Sequence, residues 1–540
     1  MSTPCTACRC PIRIAGSRTP RADVRAWLGA QATYTEQVRA QLVGQDSLAA
    51  LVEQVMRDLP TLDQVRETPA GLVLTRWLGP SPSLFALDRG ARVERAILSD
   101  SALAAARGGA SLRAYTPSWD GAVVAIGTTE KGDRNAALSV VDAASGALRA
   151  DRIPDLLTTT SGTRYEVTWL PDNSGFFYPR QWPGSASGAS ADRLARGRQF
   201  LHRLGTPQSA DVPVFGFEVS PSVAFDKDDL PTRVLTGPDS RWLVGSVFRA
   251  RRNGTDWYVA PLPDLTRLAS PAAAWTAPRW TLLADTADLL AAPQLRGDTV
   301  YALMRRGADR GAIVRRVLRA APDVLPPWET VVAERAGVIT AFSVQADGVY
   351  FTERAAGAVS LRHLAPRAAT ARPIALPVQG TVRLVRRAPT EQGAVVSVET
   401  WATTPQWLRV RDGFASPLGI DDGATGSRPT LVSGQLEAPS HGGARVPVSF
   451  VYDTAAMGHA PDGTAPLLIE TYGAFGTTTD PHFEPRVLAW VAQGGVYAWA
   501  HVRGGGELGD AWHRAATKGE KQRTIDDMIA AIEALIAQRL

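Results

Sequence analysis

Between Leu467 and His513 the chain reads LLIETYGAFGTTTDPHFEPRVLAWVAQGGVYAWAHVRGGGELGDAWH. The side chains there that could take part in chemistry are Tyr472, Phe475, Arg503, Glu507 and His513, and the first four each adjoin a glycine. Two short apolar runs, Leu467–Thr471 and Val496–Val502, lead into those glycine turns. Runs of this length without strict alternation suit strands buried on both faces of a parallel sheet. A glycine at the end of such a strand lets the backbone turn sharply and approach a substrate closely. The expected order is strand, loop, helix, strand, loop. Acyl transfer needs an activated nucleophile, a base and donors aimed at the developing oxyanion, and only the third is partly present here. Each residue also has a plainer role: Tyr472 packed at a strand end, Phe475 in a core, Arg503 and Glu507 as a salt-bridged loop anchor. His441, His482 and His501 lack the spacing of a metal site. Neither a metal nor a cofactor is expected.

Taken together the motifs are more specific. Tyr472-Gly473-Ala474-Phe475, then Gly494-Gly495-Val496, then Arg503-Gly504-Gly505-Gly506-Glu507-Leu508-Gly509 with Trp512-His513, and finally Lys521-Gln522 with Asp526-Asp527 follow one another. Their order and spacing resemble the prolyl oligopeptidase family of serine peptidases. Looser likeness extends back through nearly the whole chain. The resemblance implies a mixed fold: a seven-bladed β-propeller, an α/β-hydrolase domain and N-terminal helices. It implies cleavage of short peptides, commonly after proline, with the propeller restricting access of large substrates. It makes Tyr472 the side-chain oxyanion donor and Phe475 part of the wall holding the residue before the cleaved bond. Arg503, Gly504, Gly505, Gly506 and Glu507 become a support for the active site, and His513 matches a motif histidine that is not the triad base.

In that family the helix at Thr524–Gln538 is followed by a strand and a G-x-S-x-G turn presenting the nucleophilic serine. Residues 1–540 contain no G-x-S-x-G. The family's catalytic aspartate and histidine lie further on still. The expectation is an α/β-hydrolase domain incomplete at Leu540, a chain that does not hydrolyse peptides by itself, and self-association through a sheet edge left bare at Leu467–Thr471. A competing reading is a non-enzymatic β-propeller binding a peptide or protein partner. Tyr472 and the Arg503–Gly509 loop would have little use in such a protein.

The rest of the chain must position this stretch. At 540 residues it exceeds one ordinary core, so at least two domains are expected. A hydrophobic fraction of 45% against 21% charged residues describes a folded chain, not a disordered one. Lysine and arginine number 58 against 53 acidic residues, a balance of +5 without a long basic run, so nucleic acid is not expected as a partner. No window approaches a membrane span. Met1–Arg25 lacks the apolar core of a signal peptide, which points to the cytoplasm unless a start further upstream carries an export signal. Cys5, Cys8 and Cys10 form C-x-x-C-x-C with no fourth ligand nearby, so residues 1–20 read as a disordered leader and not as a metal site.

Residues 21–69 read as two amphipathic helices separated at Gly44 and ended by Pro60. The family resemblance docks them on the hydrolase part. From 70 to 426 the texture is that of short strands: Leu72–Trp77, Val123–Ile126, Leu138–Val141, Val167–Leu170, Phe176–Tyr178, Trp242–Phe248, Trp257–Ala260, Val300–Met304, Val338–Val344, Gly348–Thr352, Val382–Val385 and Ala394–Thr400. Hairpin chemistry stands at Asp142-Ala143-Ala144-Ser145-Gly146 and at Pro171-Asp172-Asn173-Ser174-Gly175. An aspartate turn before an apolar strand recurs at Trp119-Asp120-Gly121, Pro171-Asp172 and Pro238-Asp239, as a repeat array requires. Strand counting alone allows six or seven blades. Gly184–Ser190 reads as a flexible loop between strands. Residues 427–540 follow a linker at Gly423–Arg428 and begin with strands near Leu431–Glu437 and Val446–Tyr452. They end in a helix whose apolar stripe is Ile525, Met528, Ile529, Ile532, Leu535 and Ile536, with Thr524 and Asp527 as a capping pair.

Overall fold

The computed structural model describes residues 22–57, 62–78, 81–129, 136–154, 156, 167–180, 195–263, 278–319, 324–355, 358–385, 388, 390–401, 403–420 and 430–540. The leader with Cys5, Cys8 and Cys10, the loop Gly184–Ser190 and the linker Gly423–Arg428 fall outside them.

One turn chemistry sets the repeat. The Asp120 carboxylate accepts from the Ser118 hydroxyl at 2.6 Å and the Ala122 amide at 3.0 Å. Asp172 does the same for Ser174, from the amide at 3.1 Å and the hydroxyl at 2.7 Å. In the third copy Ser240 takes over, accepting from the Trp242 amide at 3.2 Å. These turns join the first and second strands of three successive sheets. The Asp142 turn joins a third strand to a fourth. Its carboxylate accepts from the Ser145 amide and hydroxyl and from the Ala144 amide, and with Arg149 beside it the carboxyl is held down at about 2.

Seven consecutive four-stranded antiparallel sheets result among the described residues, spanning 62–98, 111–153, 168–216, 230–284, 290–332, 338–374 and 381–417. Each runs in chain order, so each is complete in itself. The described residues thus carry seven blades, the higher of the two numbers expected. Every strand expected between 72 and 400 falls on a strand. The sheet region begins earlier than expected, because Leu62–Thr68 pairs with Gly71–Trp77. Its sequence, LDQVRET, has only two apolar residues, and such charged blade strands carry little pattern.

Neighbouring sheets share cores. Leu84 and Ile97 of the first meet Val124, Ile126 and Val141 of the second. Helix α3 (Asp100–Ala106), started by the Ser99 hydroxyl accepting from the Ala102 amide, buries Leu103 in the same cluster. The ring closes through side chains: Trp407 and Leu418 pack on Val65, Leu72 and Leu74, and Arg409 pairs with Glu67.

Helices α1 (Ala22–Arg39) and α2 (Gln45–Arg57) occupy the expected segment, separated at Gly44, whose φ is 86°. Of the described residues, those up to Gln54 belong to a compact unit distinct from the one that begins at Val55. Among the described residues no helix is long and apolar enough to cross a membrane.

The last domain is a mixed sheet. Strands β1 (Leu431–Pro439), β2 (Arg445–Asp453), β3 (Leu467–Glu470) and β4 (Val496–Ala500) lie in the order β1-β2-β4-β3. The β1/β2 and β2/β4 pairs are antiparallel and β3/β4 is parallel. A parallel pair needs a crossover, and helix α4 (Pro485–Val491) supplies it, burying Val487, Leu488 and Val491. Two more helices follow, α5 (Asp510–Arg514) and α6 (Gln522–Ala537). Helix α6 covers the sheet through Ala530, Ala531 and Leu535, packed on Val446, Val448, Ala498 and Ala500. The expected apolar stripe is therefore corrected: Ile525, Ile529 and Ile536 are exposed. Small alanines let the helix approach closely, and polar contacts from its first turns fix its rotation.

Candidate active site

Thr471 leaves β3 with its hydroxyl donating to the Ala500 carbonyl at 2.7 Å. Gly473 follows with φ of 61°, and a Cβ there would meet the Val502 and Thr524 side chains at 2.5 and 2.7 Å. Only glycine lets the turn rest on the end of β4 and the start of α6. Phe475 and Gly476 come next at φ of 56° and 63°, closed by the Thr477 amide donating to the Ala474 carbonyl at 3.0 Å. Two central residues with positive φ make this a turn of the type I′ kind. A phenylalanine in left-handed backbone costs about 1–2 kcal/mol, and its ring recovers little, being 80% exposed. Tyr472 is 51% exposed on the same turn. The structure thus brings Tyr472 and Phe475 together on an open surface, unlike the packed strand end and the core position of their plainer readings.

The Arg503–Glu507 loop lies beneath, and its glycines answer three close approaches. A Cβ on Gly504 would stand 2.1 Å from the Gly473 carbonyl oxygen, one on Gly505 2.1 Å from Glu507 Oε2, and one on Gly506 2.3 Å from the Gly476 carbonyl oxygen. The two backbones nest, with the Gly476 amide donating to the Gly504 carbonyl at 3.1 Å. His513 Nδ1 reaches the same carbonyl at 2.8 Å, which makes this histidine a strut for the loop.

Arg503 and Glu507 are not an ion pair with each other. Arg503 is buried and donates to Asp527 of α6 from Nε, Nη2 and its own backbone N–H, at 2.9, 2.6 and 2.8 Å. The Ser440 hydroxyl also donates to Asp527, at 2.5 Å. The Thr524 hydroxyl donates to the Arg503 carbonyl at 2.8 Å. The expected Thr524/Asp527 capping pair is therefore corrected as well: both side chains turn toward the support loop, and α6 starts without a side-chain cap. Glu507 accepts from the Thr479 amide at 3.1 Å and lies 3.7 Å from His501 Nδ1. His501 Nε2 in turn is 2.8 Å from the Ser449 hydroxyl. Lys521, just ahead of α6, donates from Nζ to the Gly473 carbonyl. Sequence reasoning missed the parts played by Lys521 and Asp527, although both stood within the quoted motifs.

The propeller grips the chain just past the turn. Arg354 holds Asp480 with two hydrogen bonds, Nε to Oδ1 at 2.8 Å and Nη2 to Oδ2 at 2.5 Å. The Thr381 hydroxyl donates to the Pro481 carbonyl at 2.6 Å, and the Phe483 amide donates to Glu399 at 3.2 Å. A cavity of about 660 Å³ lies alongside, lined by Arg354, Leu436, Asp480, His501 and Glu507 among others. A second, of about 420 Å³, is lined by Arg233, Trp257, Gln294, Phe342 and Leu384 among others, from four successive propeller sheets.

A seven-bladed propeller set against a mixed sheet in the order β1-β2-β4-β3, with an exposed tyrosine turn after its third strand, defines a propeller-bearing α/β hydrolase. The chain belongs to the prolyl oligopeptidase family. The family profile described as "Prolyl oligopeptidase, N-terminal beta-propeller domain" matches residues 86–411, and "Prolyl oligopeptidase family" matches residues 481–540. The chain is similar to the prolyl endopeptidase of Elizabethkingia miricola, 27% identical over 377 residues, or 68% of this chain and 49% of that protein. It is 24% identical over 524 residues to the prolyl endopeptidase of Elizabethkingia meningoseptica, or 95% of this chain and 68% of that one. The chain thus spans about half the length of the first relative and about two thirds of the second. Prolyl oligopeptidase B from Galerina marginata, solved with a 35mer hydrolysis and macrocyclization substrate, shares the fold at a TM-score of 0.78. The two are 18% identical, over 96% of this chain and 72% of that one.

Proposed function

We propose that this chain is the propeller and oxyanion-donor portion of a serine peptidase acting on short peptides, with a preference for cleavage after proline. The observation that carries the reading is the Tyr472–Phe475 turn, open on one side and clamped from the other by the Arg503–Glu507 loop. In acyl transfer a serine hydroxyl gives its proton to a base and adds to the peptide carbonyl, whose oxygen becomes a tetrahedral oxyanion. The Tyr472 hydroxyl donates to that oxyanion. Collapse expels the amine, which takes the proton, and water then cleaves the acyl-serine. The exposed Phe475 ring receives the side chain before the scissile bond, and the propeller limits how large a peptide reaches the site. In this reading the protein works in the cytoplasm, and its partners are peptides, not nucleic acid or membrane.

Two measurements test it. In a peptidase joining these residues to a G-x-S-x-G segment, Tyr472→Phe is expected to lower kcat roughly 10²–10³-fold with little change in KM. Unchanged kcat removes Tyr472 from the site. Residues 1–540 by themselves, mixed with a chromogenic prolyl peptide and a fluorophosphonate probe, are expected to show neither turnover nor labelling; turnover with specific labelling would show that a nucleophile stands in another context.

A further inference from the structure

The larger cavity, of about 660 Å³, takes its lining from both the propeller and the hydrolase sheet, and neither Tyr472 nor Phe475 is part of it. Its volume is that of a ligand site and not of a packing defect. Arg310, Arg354 and Arg445 line it against Glu437, Asp480 and Glu507. Arg445 donates to Glu437 at 2.6 Å, and Arg354 holds Asp480. Glu507 is buried and accepts from the Thr479 amide. Arg310 is exposed, and no carboxylate of the described residues lies within salt-bridge distance of its guanidinium. Only its backbone N–H meets a carboxylate, that of Glu334 at 2.7 Å.

Arg354 has a donor to spare. Its Nε and Nη2 both go to Asp480, and because the guanidinium is planar the remaining nitrogen, Nη1, lies away from that carboxylate. Arg354 is buried, and its Nη1 has no hydrogen-bond partner. A buried donor left without an acceptor is costly, the more so on a charged group. Arg305 stands on the same loop of the fifth propeller sheet as Arg310, and no described carboxylate lies within salt-bridge distance of it either. Burial presses its pKa below the ordinary value, Asp510 opposes this, and the charge of Arg354 adds to it. Arg305 and Arg354 are thus near enough to repel, and an anion beside them would relieve the repulsion. Val338, Leu436, Pro447 and Leu508 supply apolar lining. An inorganic anion would leave these side chains wet, whereas a carboxylate on an apolar body satisfies both kinds of wall.

We propose that this cavity binds the C-terminal carboxylate of a short peptide, with Arg310 and the spare donor of Arg354 on the carboxylate and the apolar lining on the last side chains. The choice of a peptide as the occupant rests on the peptidase reading; the anion site does not. Binding needs no nucleophile, so it is measured in residues 1–540 as they stand, and failure of the Tyr472 reading would leave the result intact.

The experiment is calorimetric titration of residues 1–540 with acetylated alanyl-prolyl-leucine, once as the free acid and once as the amide. The free acid is expected to bind about tenfold more tightly, the worth of one charge-assisted hydrogen bond, and to weaken as salt is added. Arg310→Gln is expected to bring the acid down to the affinity of the amide, and Arg310→Lys to retain part of the difference. The Arg310 guanidinium is exposed and unpaired, so an unchanged melting temperature should show that both variants are folded. Equal affinity for acid and amide overturns the proposal, as does undiminished binding of the acid by Arg310→Gln. Absence of binding by the acid in the millimolar range overturns it too. An amide with glutamate in place of the leucine tests a side-chain carboxylate: weak binding supports the assignment to a chain terminus, and binding as tight as that of the free acid overturns it.

Discussion

Arg503 and Asp527 meet through three hydrogen bonds, two from the guanidinium and one from the arginine's own backbone N–H, with both side chains buried. The pair ties the end of β4 to the inner face of α6. Through Gly504 and Gly506 it also fixes the height of the loop on which the Tyr472–Phe475 turn rests.

Removing one member leaves the other charged and unpaired in the interior. Arg503→Met is expected to cost about 3–5 kcal/mol, and Arg503→Met/Asp527→Leu to recover much of that loss. Urea unfolding followed at the hydrolase domain measures both. A single-variant cost below about 1 kcal/mol, the range of exposed pairs, would show that the pair is not holding the loop.

The three support-loop glycines are expected to differ. A Cβ on Gly504 or Gly506 strikes a carbonyl oxygen of the facing backbone, which cannot move without displacing the Tyr472 turn. A Cβ on Gly505 strikes the end of the Glu507 side chain, which can swing away. Gly504→Ala and Gly506→Ala should therefore each lower the melting temperature more than Gly505→Ala does. The reverse order would mean that Glu507, and not the turn, sets the loop.

In the propeller, His202 is buried between two carboxylates, Nδ1 at 2.7 Å from Asp211 and Nε2 at 3.1 Å from Asp151. Burial opposes protonation, but hydrogen bonds and charge from Asp211 and Asp151 outweigh it and raise the pKa above its ordinary value. A raised value means that the imidazolium contributes stability in full below the unfolded pKa of about 6.5. That contribution is lost as pH climbs through the folded value. Thermal unfolding of the wild type and His202→Gln across pH should show the gap between them widest below about pH 6.5 and narrowing in alkali. A gap constant with pH would mean that the histidine is held neutral.

Strand β3 pairs on one side only among the described residues, and Leu468 is 40% exposed on it. A free edge with unpaired N–H and C=O groups invites another chain, whereas each propeller sheet is complete in itself. Residues 1–540 are expected to self-associate in light scattering, and limited proteolysis to remove the segment after about residue 430 before the propeller is cut. A monomer whose two parts resist protease equally would show that this edge is covered.

How much of this was legible beforehand follows from the range of each interaction. The aspartate turns at Asp120, Asp142 and Asp172 were readable because each carboxylate serves amides two or three residues away. Buried strands such as Trp242–Arg249 were readable because their apolar runs are nearly unbroken, whereas Leu62–Thr68, a strand of charged residues, was not. The order of the motifs was enough to mark Tyr472 and Phe475. Only the tertiary structure decided what holds them. Arg503 chose Asp527 over the nearer Glu507 because α6 folds back across β4. Once that buried pair and the Thr524 contact had fixed the rotation of the helix, Ile525 and Ile529 faced outward whatever their hydrophobicity preferred. The positive φ of Phe475 likewise comes from the two glycine loops nesting, a contact between residues some thirty positions apart that no local pattern encodes.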